Sequence, residues 1–257
     1  MKKIILLFII ILTSFTFAQK PLVVGMELAY PPFETTDNHG NPIGLSVDLA
    51  HDLGEYLGRK IIIENMSYGG LIPALRTSKI DIILSSMSIT KERKRSINFS
   101  VPYAKSNLAI LANKNSNINN PIDLNNKNIK IAVKNGTTAH IVAMKSFPKA
   151  KILVFDKESA CILEVTQGKV DAFIYDPLTI LKNWEKNKST TVAILTPFEE
   201  EPQYWAIGYR KGDDQLGEQI NKFITQYKKE GKLDKLADKY LADPKKEFEK
   251  RDIPFFF

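Results

Sequence analysis

The chain has 257 residues, of which 44% are hydrophobic and 25% charged, with 36 Lys and Arg against 29 Asp and Glu, three His and one Cys. A single cysteine excludes an intrachain disulfide. The basic excess is spread along the chain, clusters only in KERKR and near the C-terminus, and lacks interleaved aromatics, which argues against a nucleic-acid partner.

Residues 1–18, MKKIILLFIIILTSFTFA, carry two lysines, an unbroken apolar run, and Thr16 and Ala18 three and one places before a cut. This is the pattern of a cleaved secretory signal peptide, and the run is short of the ~20 residues that a membrane-spanning helix needs. Cleavage leaves 239 residues, enough for one large or two small cores, and a net charge of +5 once Lys2 and Lys3 are gone. No cysteine follows the run, so a lipid anchor is not expected and the expected location is a periplasm.

Downstream, apolar strand-like runs alternate with helix-like segments, the pattern of an α/β fold. LVVGM reads as the first strand. AYPPFE follows it, with Tyr30 as one wall of a pocket, Glu27 one turn earlier facing a ligand side chain, and Phe33 in the core. A helix is predicted over 45–57, a strand at IIIEN, then Tyr68 in NMSYGG as a second wall, and a helix over 71–76. Ile80 to Leu84 are β-branched and apolar apart from Asp81, so they read as a strand covered on both faces, as in a parallel sheet. Ligands bind at the carboxyl edge of such sheets, where Ser85, Ser86 and Ser88 stand. Thr90 caps a short helix that carries Arg93, whose guanidinium suits a carboxylate held by two parallel hydrogen bonds. For Arg93 alone, a solvated helix face is the alternative.

The alternation breaks at 113–128, polar and rich in asparagine, where a loop or domain junction is expected. It restarts as a second, smaller α/β unit: IKIAV, a helix over 137–146, KILVF, a helix over 157–167, VDAFIYD, and a helix over 177–184. Val133 ends a strand, and Lys134, Asn135, Gly136, Thr137 and Thr138 open a helix whose positive end welcomes an anion; an ordinary Thr cap is the alternative. Cys161 falls on the apolar side of its helix, as a buried, inert thiol. Asp176 follows AFIY and precedes Pro177, which suits either an N-cap or an ammonium partner. After TPFEEEPQ, YWAIGY reads as one more strand, followed by helices over 214–229 and 232–240 that belong against the first unit. The expected organisation is lobe one from 19–106 plus 203–257 and lobe two from 107–202, joined by two crossover strands that form a hinge. His39, His51 and His140 are isolated, and no metal or cofactor is expected.

Taken in order, AYPPFE, GLSVDLAHDLG, GLIPALRTSKIDIILSSMSITKERKRSINFSVPYAKS, VKNGTT, VDAFIYD and EGKLDKLADKYL resemble the periplasmic substrate-binding proteins of polar amino-acid ABC transporters, in particular the glutamine binders and the lysine/arginine/ornithine and histidine binders. The resemblance covers the whole mature chain. It implies a two-lobed type II periplasmic binding fold, a free L-amino acid in the cleft, an ABC permease as partner, a monomer, and no catalysis. By that similarity Arg93, with the backbone amides of Ser88 and Thr138, takes the ligand carboxylate, while Asp176, Ser86 and the Ser88 hydroxyl take the α-ammonium. Tyr30 and Tyr68 match the aromatic walls, Glu27 an acid that reads the far end of the side chain, and Lys134 a lysine of the glutamine binders.

Two features depart from the best-known relatives. Position 27 carries Glu where Asp is common, a reach longer by one methylene. Lys134 argues against a cationic ligand and Glu27 argues for one; paired, they suit a neutral polar side chain such as glutamine, ahead of Arg, Lys or His. The rival readings are a cyclohexadienyl dehydratase on the same fold, which needs a general acid, and the sensor module of a receptor or ligand-gated channel. The latter needs a spanning helix or signalling domain, which the ending PFFF is not expected to supply.

Overall fold

Two five-stranded sheets organise the described residues, 19–196 and 201–257, of the computed structural model. The expected signal peptide, residues 1–18, lies outside the described residues. The first sheet runs Ile61–Asn65, Leu22–Met26, Ile82–Ile83, Gly208–Tyr209, Asn98–Phe99; the second runs Lys151–Phe155, Lys130–Lys134, Ala172–Tyr175, Ala109–Asn113, Thr191–Ile194. Helices cover both, and each sheet has its own apolar core, the larger one built around Leu22, Val24, Leu49, Ile207 and Ile220. This is the two-lobed α/β architecture expected from the sequence.

The sheets are mixed rather than parallel throughout. Gly208–Tyr209 runs antiparallel to both neighbours in the first sheet, and Ala109–Asn113 does so in the second. The cause is topological. Each of these strands is fed directly by a strand of the two-stranded ribbon that pairs Ala104–Ser106 with Gln203–Trp205, with Lys105 opposite Tyr204. A strand entered from the edge where its parallel neighbours end must run the other way. For the same reason YWAIGY is not one strand. It divides at Ala206 and Ile207, the first half pairing with the ribbon and the second joining the first sheet.

Ile82 and Ile83 alone of the Ile80–Leu84 run form the ladder, yet Ile80, Ile82, Ile83 and Leu84 are all fully buried, as a strand covered on both faces requires. The helices Leu45–Leu57, Leu71–Arg76 and Asp214–Lys229 have the predicted bounds. The polar stretch after Asn113 is a loop inside the second unit, not a junction; it winds through two short turns, the second capped reciprocally by Asn120 and Asp123. Cys161 is buried, and burial pushes its thiol up to about 12.

The last helix continues well past Tyr240, spanning Lys232–Lys250 with a kink at Leu241. Pro244 falls in the first turn after that kink, where its missing N–H costs no hydrogen bond, and Leu241 and Phe248 carry the apolar stripe onward. The terminal phenylalanines fold back onto the first unit. Phe256 is 2% exposed and its ring lies 5.1 Å from Phe33 and 5.3 Å from Trp205. Its carbonyl accepts from the Lys105 N–H at 2.8 Å, so the tail runs alongside the ribbon. No helix among the described residues is long and apolar enough to cross a membrane.

Candidate functional site

Residues that follow strands in both sheets line one cleft. Glu27 comes after Leu22–Met26, Tyr68 after Ile61–Asn65, Ser85, Ser86 and Ser88 after Ile82–Ile83, Thr138 after Lys130–Lys134, and Asp176 after Ala172–Tyr175. Open α/β sheets present backbone groups and helix starts at that edge, which is why polar side chains collect there. Seven of the nine residues expected from sequence stand on the cleft wall: Glu27, Tyr30, Tyr68, Ser86, Ser88, Thr138 and Asp176. Arg93 and Lys134 lie one layer behind and are bonded to that wall.

Arg93 sits where the sequence puts it. The Thr90 hydroxyl accepts from the Arg93 N–H at 3.1 Å, capping the short helix Lys91–Lys94. Its guanidinium, 4% exposed, donates to the Ser88 carbonyl at 2.7 Å, to the Gly136 carbonyl at 2.9 Å and to the Thr138 hydroxyl at 3.4 Å. Arg93 therefore ties the serine edge of the first sheet to the helix start of the second. Thr137 caps that helix, accepting from His140 N–H. Gly136 has φ +73°, and a Cβ there would meet the Cα of Gly69 at 3.0 Å, so the two lobes approach backbone to backbone at this point.

Asp176 is the N-cap the sequence allowed, and its second oxygen faces the cleft. Its Oδ1 caps the helix Pro177–Lys186 by accepting from the Thr179 N–H at 3.0 Å. Its Oδ2 is buried in the cleft with no hydrogen-bond partner among the described residues. Burial raises the carboxyl above its ordinary range, against the pull of the Thr179 bond. Tyr30 faces it: burial first, then the Asp176 charge, pushes the Tyr30 hydroxyl well up. Tyr30 also stacks on Phe33 at 4.9 Å, while Tyr68 lies under both Arg93, 5.6 Å from its ring centre, and Lys134, 6.0 Å.

Lys134 is the last residue of its strand, 2% exposed, and its Nζ is ion-paired with Glu27 Oε2. The other Glu27 oxygen accepts from the Tyr68 N–H at 3.3 Å. The pair joins the lobes across the cleft. On its far side is a neighbouring pocket, lined by Glu27, Lys134 and Glu158 among others.

Glu34 is a cleft residue that nothing in the sequence singled out. It is 1% exposed and takes hydrogen bonds from the hydroxyls of Ser46 at 2.7 Å, Ser86 at 3.1 Å and Ser85 at 3.3 Å. No cation pairs with it among the described residues. Burial raises its carboxyl to about 8, opposed by the three serine bonds. Ser86 reaches it from a left-handed backbone, φ 47°, strain of the kind retained where a side chain must be aimed. Ser85 in turn accepts from the Glu27 N–H at 3.0 Å, so the buried acid holds the serine edge and the start of the Glu27 turn together. Trp205, on the return strand of the ribbon, is a further wall; its only trace in sequence is an aromatic in YWAIGY.

Comparison with known proteins agrees with this fold. The model of "Bacterial extracellular solute-binding proteins, family 3" matches residues 22–243. The L-arginine-binding protein of Pseudomonas aeruginosa is 31% identical over 233 residues, 88% of this chain and 89% of that protein. A crystal structure of an ancestral amino acid-binding protein described as a precursor of cyclohexadienyl dehydratase is 35% identical, covers 86% of this chain and 94% of its own, and superposes with a TM-score of 0.76. An ancestral arginine-binding protein bound to arginine gives 33% identity, coverage of 87% and 99%, and a TM-score of 0.78.

Proposed function

The chain belongs to the bacterial extracellular solute-binding proteins of family 3, and from that premise we propose that it captures a free L-amino acid outside the cytoplasm and delivers it to an ABC permease without altering it. One observation carries the reading: the buried Asp176 Oδ2, unpartnered in a cleft walled by tyrosines. A carboxylate oxygen in that position costs several kcal/mol until a cation reaches it, and an α-ammonium is the right size and charge. Ser86 and Ser88 complete the ammonium site. Arg93, with the Ser88 and Thr138 backbone amides, takes the carboxylate, exchanging part of its hold on the carbonyls of Ser88 and Gly136.

Lobe one is then 19–106 plus 203–257 and lobe two 107–202, and a ligand bridging Arg93 and Asp176 favours the closed arrangement about the ribbon. For the side chain, the Glu27–Lys134 pair supports a neutral polar group such as glutamine. Glu158 beside that pair adds a second acid, and the relatives named for arginine point the same way, so a cationic side chain is favoured. The energetics are undemanding. A micromolar dissociation constant is about 8 kcal/mol, or about 0.7–0.8 kcal/mol per non-hydrogen atom for arginine or glutamine, below the ceiling of about 1.5 for very small ligands. A periplasmic, monomeric protein is proposed with this role.

Thermal shift against the amino acids, then calorimetry on the hits, tests the reading. Arg93→Ala should lose at least tenfold, since charge-assisted hydrogen bonds contribute about 1.5–3 kcal/mol each. Asp176→Asn with unaltered affinity would remove the ammonium role. A dehydratase is the second reading, because Glu34 is a cleft carboxyl that stays largely protonated at neutral pH and a hydroxyl leaving group needs such an acid. Incubation with prephenate or arogenate should leave the ring unaromatised; conversion would favour the enzyme.

A further inference from the structure

Lys134 and Glu27 present a difficulty for any ligand with a cationic side chain. Lys134 is almost fully buried, and Glu27 is its only ion-pair partner among the described residues. Glu27 lines both the ligand cleft and the neighbouring pocket. A guanidinium or ammonium arriving from the cleft side would therefore place two cations on one partly buried carboxylate, leaving a positive charge uncompensated in a poorly solvated region.

We propose that Glu158 is a specificity-determining residue, receiving Lys134 when a cationic ligand side chain takes its place on Glu27. The inference rests on the amino-acid-binding reading above. Glu158 lines the same pocket as Lys134 and Glu27, and its carboxyl makes no hydrogen bond or ion pair among the described residues. It is the first residue of the helix Glu158–Thr166, whose N-cap, Lys157, offers no side-chain bond, so the dipole there favours an ionised carboxylate. Burial, and after it the Asp176 charge, raises the Glu158 carboxyl to about 7, while Lys134 draws it down. An acid poised in this way ionises fully as a cation approaches. A neutral side chain leaves Lys134 on Glu27 and makes no use of Glu158. The residue thus acts on one class of ligand only, through the lysine rather than by touching the ligand.

Calorimetry at pH 8 on the full chain, with L-arginine and L-glutamine as probes, tests this in Glu158→Gln, Lys134→Met and the double variant. Glu158→Gln is expected to weaken L-arginine about tenfold and L-glutamine less than about twofold, and the arginine effect should largely vanish once Lys134 is Met. Equal losses for both ligands, no loss for either, or an arginine effect undiminished in the Lys134→Met background each overturn the role of Glu158 while leaving amino-acid binding intact. Failure of the unaltered protein to bind any amino acid overturns the underlying reading as well.

Discussion

Glu34→Gln is expected to remove a large part of the pH dependence of this protein's stability. In the folded chain the Glu34 carboxyl is raised from 4.5 to about 8, chiefly by burial. Between those two values the folded state keeps a proton that the unfolded state has released, so stability falls as pH rises through that window and levels off above it. At about 1.4 kcal/mol per pH unit, integration from pH 5 to pH 8 gives a loss of about 3.5 kcal/mol from this one group. That is a large share of a typical 5–15 kcal/mol total. Glutamine keeps the shape, can accept from Ser46 and Ser86, and cannot ionise. Urea unfolding at pH 5 and pH 8 should therefore show the variant losing about 3 kcal/mol less than the parent over the interval, and standing above it at pH 8. Asp176 and Glu158 are also raised but are present in both proteins, so the difference isolates Glu34. Parallel pH profiles for the two proteins would refute the assignment of a neutral, buried acid.

Three further outcomes are expected. Gly136→Ala forces a side chain into a left-handed backbone, roughly 1–2 kcal/mol, and presses a Cβ onto Gly69 across the cleft; unfolding without ligand should show the first cost, and calorimetry a further loss of amino-acid affinity, with unchanged affinity arguing against closure at this contact. Phe256→Ala opens a hole beside Phe33 and Trp205 and should lower stability by about 3 kcal/mol in urea, whereas a loss under half of that would mean the tail contributes little packing. Cys161, buried and with its thiol at about 12, should resist a disulfide reagent at pH 8 until the chain is unfolded; rapid native labelling would contradict its burial.

Much of the site is legible in the chain because it depends on local rules. Thr90, Thr137 and Asp176 each sit between a strand and a helix and carry an oxygen that can cap, so their positions follow from a few neighbouring residues. Ser86 and Ser88 interrupt an apolar strand at its carboxyl end, and Tyr30 and Tyr68 follow strands in the same manner. Glu34 is different. In AYPPFE it is one acid after a turn, and only the convergence of Ser46, Ser85 and Ser86 from 12, 51 and 52 residues away makes it a buried, proton-holding group. Glu158 likewise reads as an ordinary first-turn helix acid until Lys134 and Glu27 are brought beside it.

Hydrophobic periodicity, strand-helix alternation and capping chemistry, all properties of short windows, determined from sequence alone that this is a two-lobed α/β protein with a polar edge on each sheet. Tertiary structure decided which way the strands fed by the ribbon run, that Arg93 grips Gly136, that Lys134 rests on Glu27, and that Asp176 keeps one oxygen unpaired. These depend on residues from separate lobes meeting at a few ångströms, and on the desolvation that follows. Neither the distance nor the loss of water is written in any local stretch of the chain.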